Sequence, residues 1–96
     1  MKIFYLGIDV AKAKLDCSLL LDDTGLKRKS KKVTNSQTGF SELLTWLVKQ
    51  SVKLTDLHVT MEATGSYHEQ AAQALHDAGV AVSIVNPVQV KALGAT

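Results

Sequence analysis

Cysteine is almost missing from this chain. Cys17 is the only one in 96 residues, which excludes an internal disulfide framework and a cysteine-based zinc site. It lies in an apolar stretch, so a packed, reduced thiol is expected. Long apolar runs are missing too, and none approaches the length that spans a bilayer. The N-terminus lacks a secretory pattern, because its apolar run contains Asp9 and offers no cleavage site. These features point to the cytoplasm. No internal repeat or low-complexity linker is evident. The net charge of +2 is too small to demand a nucleic-acid partner by itself. Ninety-six residues allow one small domain, and an apolar fraction of 46% permits a real core.

What the chain does have is an apolar run that ends on a carboxylate, Ile3-Phe4-Tyr5-Leu6-Gly7-Ile8-Asp9-Val10. Such a run reads as a strand, and its continuity predicts burial on both faces. An ionised Asp9 at the end of an interior strand costs desolvation energy unless a partner or cation offsets it. A strand-terminal Asp that faces water or caps a turn is the simpler alternative.

A short turn over 10–14 leads to a second strand. There Leu15, Cys17, Leu19 and Leu21 share one face, and Asp16 and Ser18 share the other. Asp22-Asp23-Thr24-Gly25 is a turn by composition. A third strand is expected from Leu26 to Val33, giving an antiparallel meander. It carries Lys27, Arg28, Lys29, Lys31 and Lys32, five of the eleven basic residues. Such a run is either a lysine-defended sheet edge or a phosphate-contacting face.

Residues 35–39 offer several helix N-caps. Phe40, Leu43, Leu44, Leu47 and Val48 then form one helical stripe, with Trp46 off it. A fourth strand is expected over Leu57–Glu62, with His58, Thr60 and Glu62 on one face. Glu62 closes this strand as Asp9 closes the first. A helix should follow, opened by a Ser66/Glu69 capping box, with Tyr67, Ala71, Ala74, Leu75 and Ala78 inward and Gly79 at its end. His68 and His76 are expected to be exposed. Val80–Val85 is a short strand, and Asn86-Pro87 opens a last helix. The order β-β-β-α-β-α-β-α indicates a mixed α/β sheet.

If the first and fourth strands lie side by side and parallel, Asp9 and Glu62 come together at their C-terminal ends. Two adjacent carboxylates stay ionised together when a cation sits between them. Oxygen ligands suit Mg²⁺ or Mn²⁺, and open α/β sheets place their sites at such strand ends.

Three segments, Gly7-Ile8-Asp9-Val10-Ala11-Lys12, Glu62-Ala63-Thr64-Gly65-Ser66-Tyr67 and Asn86-Pro87-Val88-Gln89-Val90-Lys91, resemble the N-terminal domain of DEDD-type insertion-sequence transposases. That family includes the Piv DNA invertase and is similar in fold to RuvC, the Holliday-junction resolvase, within the ribonuclease H-like superfamily. The resemblance covers essentially the whole chain. It implies one ribonuclease H-like domain over 1–96, truncated within its C-terminal part, with Asp9 and Glu62 as the first two acids of a tetrad. It implies Mg²⁺- or Mn²⁺-dependent DNA strand cleavage and transfer, DNA as partner, a homo-oligomer when intact and, in some members, a structured RNA. A C-terminal domain with a DNA-attacking serine belongs to the same expectation. The family's remaining acids stand in a Lys-Thr-Asp-x-x-Asp stretch that this sequence does not reach, so the chain alone is expected to be inactive. Asp16, Asp22, Asp23, Asp56 and Asp77 do not match that stretch.

Other candidates keep two readings. Lys12 either neutralises a phosphate or is a solvated turn residue. Thr64-Gly65-Ser66 either receives phosphate at a helix N-terminus or simply caps the helix. His58 has no second His or Cys at ligand spacing. An actin-like or sugar-kinase-like ATPase lobe shares the topology, but such lobes carry Gly and Thr where Ala11 and Lys12 stand. A non-catalytic assembly module is the third possibility.

Overall fold

A computed structural model describes residues 3–21, 27–62 and 65–85. Its elements are β1 (Phe4–Val10), β2 (Lys14–Leu20), β3 (Arg28–Thr34), α1 (Gln37–Lys49), β4 (Leu57–Glu62), α2 (Glu69–Asp77) and β5 (Ala81–Val85), with a 3₁₀ turn at Leu54–Asp56 before β4. The five strands form one sheet in the order β3-β2-β1-β4-β5. β1, β2 and β3 pair antiparallel, whereas β4 pairs parallel with β1 and with β5. This is the expected meander followed by alternating helix and strand. The expected last helix, with the Asn86–Lys91 segment, lies outside the described residues.

Both helices cover one face of the sheet. Leu6, Ile8, Val10, Leu15, Cys17, Leu19, Val33, Leu57, Val59 and Met61 point to that face and are buried with Phe40, Leu43 and Leu47 of α1 and Ala71 and Leu75 of α2. The expectation that β1 is buried on both faces is therefore corrected. Tyr5 is 50% exposed, and Gly7 and Asp9 are exposed with it. The apolar run misled because Tyr5 and Gly7 are uncharged yet point outward. The strand has the period-two burial of a one-sided sheet.

The helices differ from the expected pattern at their margins. In α1 the stripe is narrower than it reads, since Val48 is 60% exposed and Leu44 is half-buried. Ser36 is its N-cap, and its hydroxyl accepts the Gly39 N–H at 3.3 Å. A Cβ at Gly39 would overlap the Thr34 carbonyl, so the close approach of helix to strand requires glycine there. Both helices end in the same backbone device. After α1, Ser51 takes the left-handed conformation (φ 62°), and the Val52 N–H reaches the Leu47 carbonyl. After α2, Gly79 (φ 91°) does the same, and the Val80 N–H reaches the Leu75 carbonyl. The expected Ser66/Glu69 capping box is not formed. α2 begins only at Glu69, its N-cap is His68 without a side-chain bond, and the Ser66 backbone carbonyl accepts the Glu69 N–H at 3.3 Å. Tyr67 therefore precedes the helix and is 46% exposed instead of inward. His68 is half-buried instead of exposed.

Candidate metal and nucleic-acid face

The other face of the sheet, which no helix among the described residues covers, carries the polar positions. Across it run Arg28, Ser30 and Lys32 of β3, Leu20, Ser18 and Asp16 of β2, Tyr5, Gly7 and Asp9 of β1, and His58, Thr60 and Glu62 of β4. The parallel register of β1 and β4 ends at Ile8 opposite Met61. One step further, Asp9 and Glu62 stand side by side on strands about 4.8 Å apart. Both are exposed. Parallel pairing produces this meeting, because it brings two C-terminal strand ends to the same edge of the sheet.

The antiparallel hairpin adds a carboxylate that lies outside the three family-like segments. Asp16 lies directly opposite Asp9 in the β1–β2 ladder. Asp9, Asp16 and Glu62, with Gly7, Ser18 and Thr60, line an open groove of about 510 Å³. Like charges directly opposite on neighbouring strands repel. The signal for Asp16 was its place on the polar side of an alternating strand, but that pattern does not say which residue it faces. Gly7 forms part of the groove floor. Its φ is not positive, and a Cβ there would touch nothing within 4 Å, so neither backbone conformation nor packing demands glycine.

A single side chain braces this end of the sheet. The Asn35 Nδ2 donates to the Ala11 carbonyl at 2.9 Å and to the Tyr67 carbonyl at 2.9 Å. It joins the turn after Asp9 to the turn that precedes α2. Asn35 reads as a helix cap in the sequence, but Ser36 takes that part.

The remaining candidates are placed less centrally. Lys12 is exposed in the β1–β2 turn and borders a small hollow with Asn35, Ser66, Tyr67, Glu69 and Gln70, outside the acidic groove. Gly65 is exposed in a left-handed turn (φ 63°). It lies four residues before the start of α2 and so is not at a helix N-terminus. Thr64 lies outside the described residues. His58 shares the open face, but four residues along a strand put it about 13 Å from Glu62. Its ring meets the Ser83 hydroxyl at 2.8 Å and lies 6.3 Å from the Tyr5 ring centre. The basic run is divided. Lys27 precedes β3, Arg28 and Lys32 face the open side, and Lys29 and Lys31 pair with Leu19 and Cys17 on the side of the helices. Cys17 is fully buried. Burial, with a smaller effect from the Asp16 charge, pushes its thiol up to about 12. It is the packed, free thiol the sequence implies.

Comparison with known proteins gives the family and the fold. The profile of a family of transposases, the DEDD type of IS110 elements, matches residues 6–96. Pilin gene-inverting proteins of Moraxella bovis and Moraxella lacunata are each 36% identical over 88 residues, which is 92% of this chain and 26% of theirs. The chain thus spans about a quarter of the length of these relatives. Among solved structures, Thermus thermophilus RuvC in complex with Holliday junction substrate is similar with a TM-score of 0.61 at 18% identity, over 93% of this chain and 69% of that one. A Bacteroides thetaiotaomicron protein with an actin-like ATPase fold gives 0.66 at 17% identity, over 99% of this chain and 38% of that one. At such identities the likeness is one of fold, and the fold is RuvC-like, of the ribonuclease H type. Fold alone does not separate the recombinase from the ATPase lobe; the family match does. The chain belongs to the IS110 family of DEDD-type transposases.

Proposed function

We propose that this is the N-terminal catalytic domain of a DNA transposase or recombinase, in which Asp9 and Glu62 hold Mg²⁺ or Mn²⁺ for strand cleavage and transfer. The observation that carries the reading is the pair itself, two exposed carboxylates on one face at the C-terminal ends of neighbouring parallel strands. The donor set fits a hard cation, since Asp9, Asp16 and Glu62 line the groove with Ser18 and Thr60, residues whose side chains offer oxygen donors. Among the described residues no three His, Cys, Asp or Glu side chains already form a cage. Mg²⁺ rarely needs one, because one or two carboxylates and the substrate phosphates complete its shell. When bound, the ion stabilises charge on the attacking and leaving oxygens of a phosphodiester. The chain's own part is to fix two carboxylates on a rigid sheet, with a bare floor at Gly7 where a sugar-phosphate backbone can approach.

DNA is the substrate in this reading, in keeping with the gene-inverting relatives. In this reading Asp9 and Glu62 are two of four acids, and cleavage needs the other two as well. A structured RNA partner, self-association of the intact protein and a cytoplasmic site of action belong to the same reading. No helix among the described residues is long and apolar enough to cross a membrane.

The test is Asp9→Asn in the full-length protein, with Glu62→Gln beside it. Both are expected to abolish Mg²⁺-dependent DNA cleavage while circular dichroism and the unfolding midpoint stay near wild type. Cleavage at the wild-type rate by Asp9→Asn would leave an assembly module as the better description. Tight ATP binding would favour the actin-like lobe instead.

A further inference from the structure

The five basic residues between Lys27 and Lys32 read as one cluster in the sequence. The sheet register separates them. Arg28 pairs with Leu20, Ser30 with Ser18 and Lys32 with Asp16, all on the face that carries the acidic groove. Lys29 and Lys31 pair with residues buried on the opposite face. Lys31 borders a separate hollow beside α1 with Glu42 and Trp46. Lys32 instead borders a hollow with Asp9 and Asp16 that adjoins the groove.

We propose that Arg28 and Lys32 form the outer rail of a DNA track that crosses the open face of the sheet to reach Asp9 and Glu62. The proposal rests on the reading of those two acids as the cutting site. Its physical basis is charge. A groove lined by three carboxylates repels a polyanion, so approach needs cations close by on the same face. Lys32 stands two strands from Asp9, about 10 Å at normal strand spacing, which is comparable with the screening length of about 8 Å at physiological salt. Neither Arg28 nor Lys32 is tied up in an ion pair or side-chain hydrogen bond among the described residues. Four residues of extended strand separate the two, about 13 Å. At one phosphate per 3.4 Å of axis on each strand, that span covers roughly four phosphates. Ser18 and the bare backbone of Gly7 form the low middle row of the path, with Leu20 and Tyr5 in the Arg28 row and Asp16 in the Lys32 row.

The experiment compares two double variants of equal charge in the full-length protein, Arg28→Gln/Lys32→Gln and Lys29→Gln/Lys31→Gln. Binding of a labelled DNA oligonucleotide is measured in EDTA, where no cleavage occurs, over a range of salt. The first variant is expected to bind about tenfold more weakly and to lower the log–log salt slope by about 2, one for each lost phosphate contact. The second is expected to change affinity by less than about twofold, as for lysines off the track. A photo-crosslinking residue at Ser30 is expected to join to DNA, and one at Lys31 is not. Equal losses in both variants would mean a general field and overturn the track. So would no loss in either, crosslinking only from Lys31, or a loss seen with RNA and not with DNA. Binding in EDTA does not depend on cutting. If Asp9→Asn cuts normally while the two doubles still differ, it is the assignment of the acids that fails and the surface that stands.

Discussion

Asp9 and Asp16 face each other directly across the β1–β2 ladder, both exposed, on the side of the sheet away from the helices. A hairpin that puts like charges in register gives up stability, and a cation recovers it. Removing one charge should show this. Asp16 also stands opposite Lys32 in the β2–β3 ladder, so the repulsion is isolated in a Lys32→Gln background, where Asp16→Asn is expected to stabilise the metal-free domain by roughly 0.2–1 kcal/mol, the size of a like-charge cross-strand pair. The gain should shrink when Mg²⁺ is added. Urea unfolding with and without Mg²⁺ measures both, and a gain of equal size in both conditions would show that no cation shields the pair.

Gly7 gives a second test, because fold and function should respond in opposite directions. Alanine at this position meets no atom within 4 Å. In a strand interior it should leave stability unchanged or raise it by roughly 0.5–1 kcal/mol. It also puts a methyl group on the groove floor between Tyr5 and Asp9, so DNA cleavage by the full-length protein is expected to fall. Cleavage equal to wild type would show that nothing needs to approach the sheet there.

Asn35 should matter out of proportion to its exposure. Asn35→Asp keeps the shape and removes both donors, leaving a carboxylate against the Ala11 and Tyr67 carbonyls. The expected cost is roughly 1–3 kcal/mol, two hydrogen bonds at 0.5–1.5 each. Faster hydrogen exchange at residues 11–13 and 65–68 should accompany it. Exchange unchanged at both turns would mean that they are held by other means.

Cys17 predicts a pH limit. Its thiol titrates near 9.0 when unfolded and at about 12 in the folded domain, because burial disfavours the thiolate. The stability linked to the protonated thiol is fully present below pH 9. It is lost progressively as pH rises towards 12, since the unfolded chain releases its proton first. Cys17→Ala should flatten stability over that window relative to wild type, even though its baseline is lower for the lost packing. Native protein at pH 8 is expected to resist iodoacetamide and to react only as denaturant opens the core.

Several features were legible in the chain because they are local. The alternation in Leu15–Leu21 announces β2 and its buried side, and the bounds of β4 follow from Leu57, Val59 and Met61. Ser36 lies within the predicted capping segment, and Gly79 suits the end of α2. Asp9 and Glu62 stand out as charges that close apolar strands. The errors are also local in origin. An unbroken run of uncharged residues does not show whether Tyr5 and Gly7 face a second layer or water, and Ser66 with Glu69 satisfies a capping pattern that the actual start of α2 leaves unused.

The sequence by itself determined the type and order of the strands and helices from β1 to β5, the buried sides of β2 and β4, and the family to which the motifs point. Only the tertiary structure decided that Asp16 faces Asp9, that Lys32 and Lys31 stand on opposite sides of the sheet, and that Asn35 ties two distant turns together. The reason is that periodicity is a property of one segment, whereas register is a relation between two. Side chains on a strand alternate with a period of two, so a one-residue slip in pairing would exchange every one of these neighbours.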